Sequence, residues 1–260
     1  MFGEELIKSA NKAGINTTYV KKDKTSASGV GNIFLEVKEG QKVKNRILII
    51  PGANMKMTAE DVDFLKESIS EYDIVMLQHE IPMEVNEAVL SFAYEKGVPV
   101  MLNPAPSRPL PEEMLKKITY ISPNEHEAFD LTGVKIIQNE FEVDIETVKL
   151  AAIELMKKGA LNVIITLGNN GAAFMNKNKF IYQPCIDIVN VIDPTAAGDS
   201  FLAAFCTVVN SGMTEEDVLE FASYTATITV SRIGAQPSLP TYQEVVELMK
   251  SDKNSKAVNM

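Results

Sequence analysis

Short apolar runs rich in β-branched residues alternate with segments of helical period along most of this 260-residue chain. Strands are predicted at 46–50, 74–77, 100–102, 120–122 and 163–166, with helices beginning at Thr58 and spanning 85–97 and 147–158. Strands that are apolar on consecutive residues and separated by helices indicate a mostly parallel sheet covered on both faces. The pattern therefore predicts an α/β fold, and the length suits one large domain.

Two regions depart from this alternation. Residues 17–50 contain extended stretches at 19–22, 31–37 and 47–50, a turn at Glu39-Gly40 and no helical pattern, which predicts a small antiparallel layer. After Phe201 the chain becomes helical, with capping signals at Thr214 and Thr241. The tail 251–260 is polar and is expected to be frayed.

Charge and cysteine content narrow the class of partner. The net charge of −10 argues against a nucleic acid or an anionic membrane as partner, because phosphate backbones and acidic lipids need a basic surface. No apolar run has transmembrane length, and the first ten residues carry no apolar signal segment. Cys185 and Cys206 are isolated, which fits a reducing cytosol rather than a disulfide frame or a zinc site. These features predict a cytoplasmic protein with a small-molecule ligand.

The segment 193–205 carries the sharpest chemical signal. Small residues and Gly198 lead directly into an alanine-rich helix, and such a turn leaves free N–H groups that suit a phosphate. Asp199 places a carboxylate beside that anion site. It is either a general base that orients a nucleophile, or a helix N-terminal carboxylate that complements the helix dipole.

This segment resembles the C-terminal signature of the ribokinase-like carbohydrate kinase family, whose pattern runs D-T-x-x-A-G-D-x-F. Further stretches resemble the same family in the same order, at 77–82, 102–106, 122–128, 131–133, 165–172 and 234–240. The resemblance implies a three-layer α/β/α sandwich with a mostly parallel central sheet. It also implies a single domain over 1–260, of which residues 17–50 form part of an antiparallel β lid.

The resemblance implies a kinase that transfers the γ-phosphate of ATP to the 5-hydroxyl of D-ribose. Asp199 matches the catalytic base, Gly198 belongs to the anion site, and Glu80 matches a sugar contact. Ser223 stands where the family often has an Asn near the adenine. The positions implied to bind the nucleotide are Asn124, Thr166, Leu167, Gly168, Asn169, Asn170, Gly171, Gly198, Asp199 and Ser223.

Two cations are also implied. Asn124 and Glu127 match a pair that organises Mg²⁺ near the phosphates, Glu127 acting indirectly through water; from the residues alone, a helix-capping Asn with a surface Glu is an open alternative. An activating K⁺ is implied at Asp193, Thr195, Thr229, Arg232, Gly234 and Ser238. In that set Arg232 contributes its carbonyl and not its charge. Pro194 departs from the pattern and removes an N–H group.

Several positions lie outside the family pattern. His79 is expected to be a hydrogen-bonded structural histidine, and His126 to be exposed and incidental. Nothing matches the family's opening strand and its glycine-rich sugar-binding segment. We therefore expect the chain to lack an N-terminal segment and to be poorly soluble or inactive as it stands.

Three functions follow as hypotheses. The first is a ribose kinase that pairs into a homodimer through the β lid. The second is a non-catalytic or truncated nucleotide-binding relative, and the third is a kinase for another pentose or a nucleoside.

Overall fold

The computed structural model describes residues 2–36, 43–139 and 142–258 and contains two sheets. The small sheet pairs β1 and β2 antiparallel, and the large sheet holds β3 to β8 in sequence order. The strands are β1 Val30–Glu36, β2 Lys44–Ile50, β3 Val75–Gln78, β4 Val100–Asn103, β5 Tyr120–Ile121, β6 Asn162–Thr166, β7 Ala172–Asn176 and β8 Phe180–Gln183. Strands β3 to β6 run parallel, whereas β7 and β8 are antiparallel additions at one edge.

Nine α-helices accompany these strands within the described ranges. They are α1 Phe2–Lys12, α2 Leu65–Ser68, α3 Met83–Lys96, α4 Glu112–Leu115, α5 Glu125–Thr132, α6 Ile145–Lys157, α7 Ala197–Val208, α8 Glu215–Val230 and α9 Tyr242–Val258. The predicted end of α3 at Gly97 is confirmed, since Gly97 has φ +70° and its N–H bonds back to the carbonyl of Tyr94. Thr214 caps α8 as expected.

Side chains from alternate faces of the large sheet enter two separate apolar clusters. Leu102 and Val163 face the cluster that includes α3 and α6, whereas Met101 and Ile164 face the cluster built on α7 and α8. The sheet is therefore covered by helices on both sides, which confirms the predicted three-layer architecture.

Two local predictions are wrong. Residues 19–22 form no strand; the Val20 N–H bonds to the Thr17 carbonyl and closes a turn at Thr18 and Tyr19. The helix predicted from Thr58 is instead divided into the 3₁₀ turns Ala59–Val62 and Ile69–Glu71 around the single-turn α2. Its N–H groups bond three residues back, as Asp63 does to Glu60.

The chain end is more ordered than its polar composition indicates. Helix α9 continues to Val258, and the buried Asp252 accepts a hydrogen bond from the hydroxyl of Tyr224 on α8 at 2.5 Å. Lys253 also pairs with Glu220 of α8. The expectation of a frayed tail is wrong for residues up to 258, because these contacts attach it to α8.

The small sheet matches the predicted antiparallel layer, with Val30 opposite Ile50 and Ile33 opposite Ile47. Apolar side chains on both of its faces are 40–62% exposed. The predicted turn at Glu39-Gly40 lies outside the described residues. Among the helices of the described ranges, none has both the length and the apolar character needed to cross a bilayer.

Candidate active site

A cavity of about 440 Å³ opens beyond the carboxyl ends of β4, β5 and β6. Ligands of open α/β sheets bind at this edge because the strand-to-helix loops converge there. Its polar lining comes from Asn103, Ser122, Asn124, Glu127, Thr166 and Asn169. Its apolar wall comes from Ile186, Val189, Val191, Phe201, Leu202 and Val230. A cavity with one apolar wall and one polar rim suits a ligand that is part ring system and part charged group.

The start of α7 forms one end of this cavity. Among the described residues, no side chain caps the helix, and the residue before it, Ala196, has φ +61°. Ala197 and Gly198 line the cavity. Because the first N–H groups of a helix have no partner within the helix, this uncapped turn presents donors to an anion.

The structure corrects the expectation that Gly198 precedes the helix. The left-handed residue is Ala196, whereas Gly198 lies in the first turn of α7. A Cβ at Gly198 would meet no other atom within 4 Å. The protein itself therefore leaves space beside Gly198, and that space belongs to the cavity.

Asp199 follows Gly198 in the same helical turn. Its side chain is solvent-accessible, but it lies against enough protein that burial raises the pKa of its carboxyl above the ordinary value of 3.8. Asp199 does not itself line the cavity, although its neighbour does. A carboxylate of raised pKa next to uncapped N–H groups can accept a proton close to a bound anion.

Asp193 is buried and joins two segments. Its Oδ1 accepts the Thr195 N–H and its Oδ2 accepts the Gly234 N–H, each at 2.9 Å. Burial opposes ionisation, but the nearby Thr195 hydroxyl together with the Gly234 and Thr195 N–H groups outweighs it and holds the pKa of Asp193 below its ordinary value. The buried Thr195 Oγ1 has no hydrogen-bond partner among the described residues. An ionised carboxylate beside an unpartnered hydroxyl oxygen is a donor set that fits a hard cation.

The remaining side chains of the predicted monovalent-cation set are engaged within the protein. The hydroxyls of Thr229 and Ser238 donate to the carbonyls of Thr225 and Ala235. The Arg232 guanidinium bonds to Glu244 at 2.5 Å. The backbone carbonyls of this loop, and the lone pairs of the two hydroxyl oxygens, remain as cation ligands. No cluster of three His, Cys, Asp or Glu side chains suited to a metal occurs in the described part of the chain.

Asn124 and Glu127 form a capping box at the start of α5. Asn124 Oδ1 accepts the N–H groups of His126 and Glu127, and Glu127 returns a bond to the Asn124 N–H at 2.8 Å. Both residues also line the cavity. The capping alternative is thus correct for Asn124, but Glu127 is buried rather than on the surface, and burial raises its pKa.

The segment Thr166–Gly171 contains six of the positions implied to bind the nucleotide. It joins β6 to the antiparallel β7. Gly171 has φ +94°, and a Cβ there would lie 2.1 Å from the Gln183 carbonyl oxygen, so only glycine fits. Thr166, Gly168, Asn169 and Gly171 line the cavity.

Like Asp199, three further residues predicted to bind the nucleotide or the sugar do not line the cavity. Leu167 and Asn170 are buried, and the Asn170 amide bonds to the Asn139 carbonyl. Glu80 is exposed after β3 and does not line the cavity. Ser223 does line it.

The two histidines behave as predicted. His79 is buried and hydrogen-bonded, whereas the side chain of His126 is 89% exposed.

Sequence reasoning missed part of the cavity. Asn103 and Ser122 were inside recognised motifs but received no role, and both line it. The Ser122 Oγ is buried without a partner among the described residues. Apart from Phe201 and Leu202, which lie in the segment 193–205, the residues of the apolar wall belong to no recognised motif, because they come from separate loops and helices.

The chain is similar to known proteins over nearly its whole length. The model of a family described as "pfkB family carbohydrate kinase" matches residues 1–242. A ribokinase of Schizosaccharomyces pombe is 36% identical over 255 residues, which are 98% of this chain and 78% of that protein. The solved structure of a ribokinase from Thermotoga maritima is 34% identical, with a TM-score of 0.76, covering 95% of this chain and 77% of its own. An Arabidopsis thaliana ribokinase solved with ribose and ATP is 34% identical, with a TM-score of 0.72, covering 85% and 69%.

Proposed function

The chain belongs to the pfkB family of carbohydrate kinases, and from that premise we propose that it phosphorylates the 5-hydroxyl of D-ribose. It is an ATP-dependent carbohydrate kinase. Relatives named ribokinase, one of them solved with ribose and ATP, support ribose as the sugar. These relatives do not favour the alternative of a non-catalytic nucleotide-binding protein, so we propose an active chain in place of the expectation of an inactive one.

The observation that carries the proposal is the uncapped start of α7, where open space beside Gly198 adjoins a carboxylate of raised pKa. Asp199 accepts the proton of the 5-hydroxyl as that oxygen attacks the γ-phosphorus of ATP. The new O–P bond forms, the bond from the γ-phosphorus to the bridging oxygen breaks, and ADP leaves with the electron pair. The N–H groups at the start of α7 hold the charge on the transferred group.

The cavity provides the nucleotide site in this proposal. The apolar wall around Ile186 and Phe201 receives the base, with Ser223 near it. The polar rim at Asn124, Thr166 and the turn 168–171 receives the phosphates. Since Asn124 Oδ1 already accepts two backbone bonds, its amide N–H₂ remains available as a phosphate donor. Leu167 and Asn170 support this turn from inside.

Two cations complete the proposed site. Glu127 keeps one carboxylate oxygen outside its bond to Asn124 and would hold Mg²⁺ through water. Mg²⁺, when bound, neutralises phosphate charge. Asp193 and Thr195 would hold K⁺ together with backbone carbonyls of the loop that carries Thr229, Arg232, Gly234 and Ser238.

We also propose that 1–260 acts as one kinase domain in the cytoplasm, with 17–50 as part of a lid over the sugar near Glu80. The small sheet exposes apolar side chains on both faces. One face would cover the sugar and exclude water, which competes with the sugar hydroxyl for the phosphoryl group. The other would pair with a second copy to form a homodimer.

The replacement Asp199→Asn tests the proposal. A general base contributes about 10²- to 10⁴-fold, so turnover with ribose, ATP, Mg²⁺ and K⁺ is expected to fall at least 100-fold. The base must be ionised, so wild-type kcat is expected to fall as pH drops through a pKa above 3.8. Coupled detection of ADP release across pH measures both effects.

Asp217→Asn is the matched control, because Asp217 occupies the third position of α8 as Asp199 does in α7. It removes the same negative charge at a helix start away from the cavity, so turnover should stay within twofold of the wild-type value. Turnover of Asp199→Asn within a few-fold of wild type would exclude Asp199 as the base. ADP release by wild type at a rate that does not depend on ribose would exclude ribose as the substrate.

A further inference from the structure

His79 is held by two hydrogen bonds to the segment that follows β4. It comes directly after β3, its side chain is 0% exposed, and its N–H donates to the Ala105 carbonyl at 2.9 Å. Its ring Nδ1 lies 3.2 Å from the Pro106 carbonyl oxygen. The residue therefore links the ends of two neighbouring strands.

The ring has a defined protonation state. A carbonyl oxygen only accepts, so the bond to Pro106 requires the proton on Nδ1. Burial lowers the pKa of His79, which keeps the ring neutral and leaves Nε2 as an acceptor. This Nε2 has no partner among the described residues. A buried acceptor without a partner is unfavourable, so an apolar side chain would serve stability better at this position.

The residues on either side of His79 are fixed as well. The Gln78 carbonyl accepts a bond from the buried Asn86 amide at 2.7 Å, and the Gln78 side chain accepts the Glu80 N–H. Gln78 also pairs with Asn103 across the sheet. The backbone is thus restrained from Gln78 to Glu80, although the Glu80 side chain is exposed.

The segment to which His79 is hydrogen-bonded forms part of the cavity wall. Asn103 and Ala105 line the cavity, and the His79 bonds go to the carbonyls of Ala105 and Pro106. On the other side of His79 lies Glu80, the proposed sugar contact. Any movement of His79 would change the spacing between Glu80 and this wall.

We propose that His79 is a positioning residue that fixes Glu80 relative to the segment 103–106 and so sets the affinity for the sugar. This inference rests on the proposed function, since it takes Glu80 as the sugar contact. His79 acts through Glu80 and the bond to Pro106, without touching substrate.

Three replacements separate positioning from packing. His79→Leu removes the ring donor and is expected to raise KM for ribose at least tenfold, with kcat and KM for ATP within threefold of wild type. His79→Asn places an amide N–H near the Nδ1 position and should restore KM to within threefold. His79→Gln reaches the Nε2 position instead and should not restore it. If the Leu variant does not fold, the Asn and Gln variants decide the question.

A double-mutant cycle tests the route through Glu80. In a Glu80→Ala background, adding His79→Leu should raise KM for ribose no further. His126→Leu, at an exposed histidine, is the control and should match wild type. Three results would overturn the inference. The first is that His79→Leu raises KM for ATP as much as KM for ribose, and the second is that His79→Gln fully restores KM for ribose. The third is that His79→Leu still raises KM for ribose in the Glu80→Ala background.

The wild-type assay separates this inference from the proposed function. If wild type turns over with ribose but the His79 variants behave as wild type, only the positioning role fails. If wild type prefers another sugar, ribose is excluded as the substrate. The double-mutant cycle is then measured with KM for the preferred sugar. A chain inactive with every sugar would overturn both.

Discussion

Ala196 and Gly198 each carry a local cost in stability at the start of α7. Ala196 takes a left-handed conformation that costs an L-residue about 1–2 kcal/mol, whereas glycine in a helix costs about 0.5–1 kcal/mol relative to alanine. Both residues lie at the start of α7 beside the cavity. Backbone strain of this kind is found at functional sites. The local sequence is thus better explained by an anion that needs space than by the stability of α7.

The replacement Gly198→Ala should separate stability from function. Nothing within 4 Å obstructs a Cβ there, so the melting temperature should be unchanged or higher. The methyl group would occupy the space proposed for phosphate, and the dissociation constant for ATP should rise at least tenfold by calorimetry. Gly3→Ala, at the other α-helical glycine of the described residues, should leave ATP binding unchanged. Unchanged ATP binding by Gly198→Ala would contradict the proposed phosphate position.

Sequence reasoning located the important residues of this turn but not their conformations. Asp193, Thr195, Gly198 and Asp199 were all singled out, and the structure brings them to the start of α7. The left-handed residue was missed because positive φ is normally assigned to glycine, and Ala196 is not one. Ala196 follows the buried Asp193, whose bond from the Gly234 N–H is a tertiary contact without a local signal.

At the scale of elements, predictions succeeded where the pattern is local. The parallel strands and α3, α6 and α8 follow from periodicity and capping residues. The need for Gly171 in the β6–β7 hairpin has no local signal, because its cause is the carbonyl of Gln183 twelve residues later. The helical tail was missed for the same kind of reason, since its polar residues bond to α8.

The attachment of α9 predicts a measurable loss of stability. Tyr224→Phe removes the buried hydroxyl that bonds to Asp252 and should lower the free energy of unfolding by about 1–3 kcal/mol, the usual range for a hydrogen bond to a charged group. Denaturant titration measures this change. Tyr94→Phe, at an exposed ring on α3, is the control and should change it by less than about 0.5 kcal/mol. Equal stability of the two variants would mean that this bond does not hold α9.

At the scale of the whole molecule, the sheet brings distant motifs to one edge. Asn124 and Glu127 follow β5, Thr166 ends β6, and α7 presents Gly198. The two apolar clusters on opposite faces of the sheet hold these loops in place. The sequence motifs identified the components, but their meeting in one cavity depends on strand order, which single motifs do not specify.

The most direct test of the account is whether the chain moves phosphate from ATP to a sugar. Phosphorus NMR of the wild-type chain with ATP, Mg²⁺, K⁺ and D-ribose follows both products at once. The account predicts that the signals of D-ribose 5-phosphate and ADP grow in equal amounts, and that Asp199→Asn forms neither at a comparable rate. Loss of γ-phosphate only to inorganic phosphate, or equal sugar phosphate from Asp199→Asn, would contradict it.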